Sequence, residues 1–343
     1  MDKLPRYRTG LAAIDRQIAD LVDALGPTAN AELIFELIAS SVRLARDNAG
    51  RGDLKIASAA LKEMRYAFHV FEPYRSARKV AIFGSARTQR EDPLYDQTRD
   101  FARRMSELDW MAITGAGPGI MEAGIEGAGP DQSFGVGIRL PFEAENTQFL
   151  ADDPKLINFR FFFTRKLTFV KEADAFCLLP GGFGTMDEAF ELLTLIQTGK
   201  STSAPIVLLD VPHGHYWETW RDFVTDELEK QSYVGPDDLS LVRITDNCDE
   251  AVEEISHFYS NYHSQRFVGA RLILRMERAP GDADLAALSK DFGDIIERGE
   301  IERIEATDQE RRDDDHVGLD RIAFRFDRHH WARLRQMIDT LNA

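Results

Sequence analysis

Apolar positions along this chain follow three rhythms in turn. Up to about residue 75 they recur at helical spacing. Leu11 to Leu25 and Ala31 to Asp47 each predict a helix. A third helix would be capped by Asp53, carry the stripe Ile56, Ala60, Leu61, Met64, Phe68 and Phe71, and stop at Pro73. Such helices need a partner for their apolar faces, and the domain that follows is the expected one.

From Lys79 the rhythm changes to short apolar runs alternating with helical stretches, the pattern of a parallel α/β sheet. Strands are expected at Val80–Phe83, Trp110–Thr114, Ser133–Arg139, Ala175–Leu179, Pro205–Leu209 and Leu241–Ile244. Helices are expected between them, near Asp96–Leu108, Ile120–Ala128, Arg160–Glu172, Met186–Thr198, Tyr216–Glu229 and Asp249–Tyr259. After His263 the rhythm shifts again. Ala270–Met276, a helix near Leu285–Arg298, Ile301–Glu305, Arg321–Phe326 and a helix from Trp331 to Leu341 suggest a small βαββα unit, with Asp308–Asp315 as an exposed charged loop. The expected fold is therefore α/β: a doubly wound parallel sheet over residues 76–262, an N-terminal helical extension over 1–75, and a small C-terminal α+β unit over 263–343.

Composition narrows the function. Of 343 residues, 58 are acidic and 42 basic, a formal charge of −16. That argues against a nucleic-acid partner, which needs a basic face, and against an anionic membrane surface. An anion bound by this chain must be held locally, by backbone N–H groups and a few placed cations. The only cysteines, Cys177 and Cys248, make neither a disulfide framework nor a metal cluster. With no signal-peptide pattern and no apolar run of spanning length, a soluble cytoplasmic protein is expected, with no metal and no cofactor.

Three expected strand ends carry the candidate chemistry. They are Phe83-Gly84-Ser85-Ala86-Arg87, Thr114-Gly115-Ala116-Gly117-Pro118-Gly119-Ile120-Met121-Glu122, and Pro180-Gly181-Gly182-Phe183-Gly184-Thr185-Met186-Asp187-Glu188. Strand, glycine turn and helix together present free backbone N–H groups and a partial positive charge to an anion. A single glycine-rich turn also serves turn geometry alone. Together at one sheet edge they predict a shared crevice, since open α/β sheets bind ligands outside the carboxyl ends of their strands. Familiar alternatives fail on spacing. Gly115, Gly117 and Gly119 break the dinucleotide fingerprint at Ile120, and Gly199-Lys200-Ser201 lacks the first P-loop glycine and ends a helix. His213, His215, His329 and His330 have no matching carboxylate or cysteine cluster and read as surface residues.

Glu188, one turn inside its helix, is a candidate acid or base beside a bound phosphate, although acidic residues in a first turn also merely complement the dipole, as Asp187 does on that reading. Glu191 and Thr194 share its face roughly and are further candidates. In Phe159-Arg160-Phe161-Phe162-Phe163-Thr164-Arg165-Lys166-Leu167, pattern alone sends Arg160 and Lys166 to solvent. Arg165, held between aromatic walls, would ion-pair with Glu188 and contact the substrate.

Gly84-Ser85, the Gly115–Gly119 turn with Met121, the Arg165-Lys166 pair, and above all P-G-G-x-G-T-x-x-E at Pro180–Glu188 resemble the Lonely Guy family. Its members are cytokinin riboside 5′-monophosphate phosphoribohydrolases, related to AMP nucleosidases and long mislabelled lysine decarboxylases. The G-S-A-R form resembles the longer bacterial branch. The resemblance spans residues 79 to about 262. It implies a Rossmann-like fold, homodimers or larger assemblies, and hydrolysis of the N-glycosidic bond of a purine nucleoside 5′-monophosphate. It assigns Arg165 and Glu188 to catalysis and the Gly181–Thr185 loop to the phosphate, with Gly84, Ser85, Gly115, Gly117, Gly119, Lys166, Asp187 and Thr194 as further binding candidates. Met121, Arg139 and Glu143 are candidate walls for the base. The rival reading is a non-catalytic nucleotide or cofactor carrier on the same fold. A decarboxylase has no support, because nothing marks a Schiff-base lysine in a pyridoxal phosphate site.

Overall fold

The computed structural model describes residues 4–27, 29–139 and 153–343, and the chain divides into two compact units, Met1–Arg65 and Tyr66–Ala343. Helices α1 (Ala12–Asp23), α2 (Ala31–Arg46) and most of α3 (Arg51–Phe71) make up the first. Its small core of Ile18, Ala19, Val22, Phe35 and Ala39 comes from α1 and α2 facing each other. The Asp15 carboxylate fixes the entry to α1 by accepting from the Thr9 N–H and hydroxyl at 2.8 and 2.6 Å. Two expectations for α3 change. Asp53 lies inside the helix, its carboxylate accepting from the Gly50 N–H, and Ile56 and Leu61 of its stripe are exposed. Ala67 and Phe71 at its far end are buried in the core of the second unit, so the boundary falls within α3.

The second unit is built on strands β1 (Lys79–Phe83), β2 (Met111–Thr114), β3 (Ser133–Ile138), β4 (Leu156–Phe159), β5 (Ala175–Leu178), β6 (Ile206–Leu209) and β7 (Val242–Thr245). They form one parallel sheet in the order β4-β3-β2-β1-β5-β6-β7. The crossovers are α4 (Pro93–Glu107), α5 (Ile120–Ala128), α6 (Phe162–Glu172), α7 (Phe183–Gln197) and α8 (Tyr216–Phe223), the last running into a π-helical turn at Val224–Glu229. Helix α9 (Cys248–Phe258) follows β7. Central strands are buried at every position because both faces are covered, and alternate residues feed opposite cores. In β1, Val80 and Ile82 join one core while Ala81 and Phe83 join the other. In β5, Ala175 and Cys177 join the first core, Phe176 and Leu178 the second. The order reverses between β1 and β5, so the sheet has its switch point there.

Strand β4 was not expected. Its four residues, Leu-Ile-Asn-Phe, stand immediately before an aromatic helix and offer too short a run to separate from it.

The remaining elements are β8 (Tyr262–Val268), β9 (Arg271–Met276), α10 (Asp282–Asp291), β10 (Ile296–Arg303), α11 (Asp308–Asp313), β11 (Asp320–Phe326) and α12 (Trp331–Asn342). The four strands form an antiparallel sheet in the order β10-β11-β9-β8. Strand β8 is the addition to the expected unit. One face carries the core of Leu272, Leu274, Phe324, Leu334 and Ile338. The other carries a layer of charge in which Glu310 accepts from Arg275 and Arg321 while Asp315 accepts from Arg275. The segment expected as an exposed loop is therefore anchored. Thr307 and Glu310 form a capping box, and Glu310 is fully buried. Despite its burial, hydrogen bonds from Thr307, Arg275 and Arg321 pull the Glu310 carboxyl down to about 2. Helix α12 packs this unit onto the α/β core: Ala332 is buried there, and a Cβ at Gly199 would strike the Trp331 ring at 2.0 Å.

Candidate active site

The ends of β1, β2, β3 and β5 open into one cleft of about 1580 Å³. It lies over the switch point, and the three glycine-rich turns line it. The turns interlock. The Ser85 N–H donates to the Pro180 carbonyl, and the Ile120 N–H donates to the Ser85 carbonyl. A Cβ on Gly181 would meet Thr185 Oγ1 at 2.1 Å and the Ser85 nitrogen at 3.0 Å. Gly119 has φ +68°, and a Cβ there would meet the Ser85 carbonyl oxygen at 2.5 Å. The Ser85 turn is thus sandwiched between the other two. Tyr216 adds an outside strut, its hydroxyl donating to the Gly181 carbonyl at 2.5 Å.

Helix α7 begins directly after the Gly181-Gly182 pair, and among the described residues no side chain caps it. Its first N–H groups therefore remain free, with the positive end of the helix behind them. Gly182 and Gly184 have open space where a Cβ would stand, and the Phe183 ring is 97% exposed at the loop tip. Thr185 is buried against Gly181.

Glu188 lies on α7 with its side chain in the cleft and only 7% of its surface exposed. No hydrogen bond reaches its carboxylate among the described residues. Burial pushes its pKa up to about 7, with Lys166 and Arg165 pulling down and Glu191 and Asp187 pushing further up. A carboxyl held near neutrality is poised to take or give a proton.

Arg165 enters the same cleft from α6. Its Nε donates to the Val136 carbonyl at 2.8 Å, and its guanidinium stands 5.3 Å from the Phe169 ring centroid. A Cβ on Gly115 would lie 2.4 Å from its Nη2 and 2.6 Å from the Met121 sulfur, so that glycine makes room for both side chains. The expected direct ion pair with Glu188 is not formed among the described residues. The two interact across the cleft: burial lowers the Arg165 pKa and the Glu188 charge raises it.

Gly84, Ser85, Gly115, Gly117, Met121, Gly181, Gly182, Phe183, Gly184, Thr185 and Asp187 line the cleft with Glu188 and Arg165. Three other candidates stand apart. Gly119 does not face the space, and its role is the tight approach to Ser85. Lys166 is turned between α6 and α7, where it pairs with Asp187 at 2.7 Å and Glu191 at 2.6 Å. Thr194 lies about 9 Å further along α7 than Glu188, at a rise of about 1.5 Å per residue. There it lines a separate apolar cavity of about 80 Å³ with Trp220 and Leu228. Glu143 falls outside the described residues. Arg87, Glu122, Ile138, Arg139, Asn158 and Phe162 also line it. Tyr216 had no signal in the sequence, since its contact joins elements 35 residues apart.

Fold and cleft define an α/β protein with a crevice at the switch point of a parallel sheet, lined by glycine turns and a helix N-terminus beside a buried carboxyl group. Residues 119–255 match the family model described as "Possible lysine decarboxylase". A cytokinin riboside 5′-monophosphate phosphoribohydrolase of Arabidopsis thaliana is 30% identical over 114 residues, 33% of this chain and 50% of that protein. Its namesake from Mycobacterium tuberculosis is 34% identical over 90 residues, 26% of this chain and 45% of that one. The resemblance to the Lonely Guy family read from the motifs thus holds, at modest identity, for this part of the chain. The chain spans about half the length of these curated relatives. Among solved structures, the molybdenum cofactor carrier protein of Chlamydomonas reinhardtii is 17% identical, with a TM-score of 0.36 over 52% of this chain and 96% of that one. Among the described residues, no helix is long and apolar enough to cross a membrane, and no group of side chains could hold a metal ion.

Proposed function

We propose that the chain hydrolyses the N-glycosidic bond of a purine nucleoside 5′-monophosphate, yielding free base and ribose 5-phosphate. The observation that carries this reading is Glu188: a buried carboxyl with its pKa near 7, in the same cleft as a free helix N-terminus and an arginine. A phosphate binder gains nothing from a carboxylate beside its anion, whereas bond cleavage at a sugar carbon does.

In this reading the phosphate rests on the N–H groups of the Gly181–Thr185 loop, in the positive field of α7. That remote anchor fixes the ribose, so binding energy is used to orient the reacting carbon. The C1′–N bond breaks with its electron pair going to the base, and C1′ gains oxocarbenium character. The ionised Glu188 carboxylate stabilises that charge and accepts a proton from the attacking water, whose hydroxide joins C1′. The proton passes on to the departing base, which balances the step. Arg165, its Nε tied to Val136, presents the rest of its guanidinium to the ribose phosphate.

Incubating the purified chain with purine nucleoside monophosphates and assaying ribose 5-phosphate tests the proposal. Release of free base and ribose 5-phosphate in equal amounts supports it. Tight nucleotide binding without cleavage would instead make the chain a carrier.

A further inference from the structure

The hydrolase reading leaves the base unassigned, and the layout of the cleft supplies an assignment that rests on that reading. The anion anchor follows β5, and no residue following β6 or β7 lines the cleft. A nucleotide anchored there must extend the other way, across the ends of β1 and β2 toward β3 and β4. β3 is three strand spacings from β5, about 14 Å, the scale of a nucleotide from its phosphate to the far edge of its base.

That end of the cleft is walled by Met121, Ile138 and Phe162, an apolar surface suited to a ring. Among the described residues its polar side chains are Glu122, Arg139 and Asn158. Glu122 is held by Arg90 at 2.6 Å, and Asn158 is already engaged. Arg139 differs. Its backbone N–H is tied to the Phe159 carbonyl at 2.8 Å, which fixes the root of the residue. Its exposed side chain makes no ion pair or hydrogen bond among the described residues. A cation without an ion-pair partner among the described residues, at one end of the cleft of an acidic chain, offers a pure donor there.

We propose that Arg139 reads the base and selects 6-oxopurine nucleotides. The guanidinium fork donates two parallel hydrogen bonds, and a 6-oxopurine offers two matching acceptors, O6 and N7. Adenine offers N7 beside the N6 amino group, a donor that opposes the fork.

The test measures GMP, IMP and AMP side by side, both as kcat/KM for base release and as equilibrium affinity by calorimetry, in the wild type and in Arg139→Ala and Arg139→Lys. Because Arg139 is exposed, both variants should fold. The expected wild-type preference for GMP and IMP over AMP is roughly five- to a hundredfold, the discrimination of a bidentate contact. The alanine variant should bring the ratio toward one, and lysine, with a single point of contact, should restore only part of it. A wild type that prefers AMP, or a ratio unchanged by Arg139→Ala, overturns the proposal. Should no nucleotide be cleaved while calorimetry shows the GMP preference and its loss in the variant, the base assignment stands and the hydrolase reading falls.

Discussion

Replacing Glu188 by glutamine keeps the shape of the side chain and removes its charge, which should make the protein more stable at alkaline pH while stopping its chemistry. The carboxyl has its pKa near 7 in the folded chain against an ordinary value of 4.5. The folded state therefore holds the proton more tightly than the unfolded state. The associated stabilisation is complete below about 4.5 and is lost as pH rises through about 7. A separation of about 2.5 pH units, at about 1.36 kcal/mol each, corresponds to about 3 kcal/mol. Glutamine has no proton to lose, so Glu188→Gln should gain on the wild type by up to about 3 kcal/mol between pH 4 and pH 8. Urea unfolding at both pH values measures this. The same substitution should lower base release from a purine nucleotide by about a hundredfold or more. In the wild type, kcat/KM should rise with pH through about 7, because the proposed base must be ionised. A stability difference that stays constant with pH would show that burial does not govern this carboxyl, and a glutamine variant that still turns over would remove it from the chemistry.

Arg165→Ala should also cost about a hundredfold or more in base release while circular dichroism and the unfolding midpoint stay close to wild type; a rate within a few-fold would refute the assignment. Gly181→Ala places a methyl 2.1 Å from Thr185 Oγ1, and the strain should weaken ribose 5-phosphate binding by about ten- to a hundredfold, read by calorimetry. Glu310→Ala leaves Arg275 and Arg321 buried without their shared carboxylate, so denaturant unfolding should show a loss of about 3–5 kcal/mol.

The α/β sheet was legible because its central strands are unbroken apolar runs bounded by glycine turns, as at Ala175–Leu178 before Pro180. β4 and β8 were harder for opposite reasons. The first is too short to separate from the helix it feeds. In the second, Tyr-His-Ser-Gln-Arg-Phe-Val carries little apolar character, since one of its faces meets a layer of charge. The site divides in the same way. Glycine turns announce themselves through residues that only close backbone approach requires, so Gly84, Gly115 and Gly181 could be placed on one edge. Side-chain direction could not. Lys166 looked available and is enclosed by two carboxylates; Thr194 looked aligned with Glu188 and faces another cavity. The Arg165–Glu188 pair, expected in direct contact, shares the cleft without an ion pair among the described residues, and the Arg165 Nε donates to the Val136 carbonyl.

The sandwiching of the Ser85 turn has a thermodynamic corollary. A cradle already locked by its own backbone bonds has little disorder left to surrender when an anion arrives, so occupancy should carry almost no penalty for ordering main chain. Association of a phosphate with this cradle should then be limited by encounter and by release of water. Amide exchange should be slow throughout at Ser85 and Ile120, whose N–H groups already bond within the cradle, whereas the free N–H groups of Phe183 to Thr185 should exchange fast and slow down only when a phosphate occupies them.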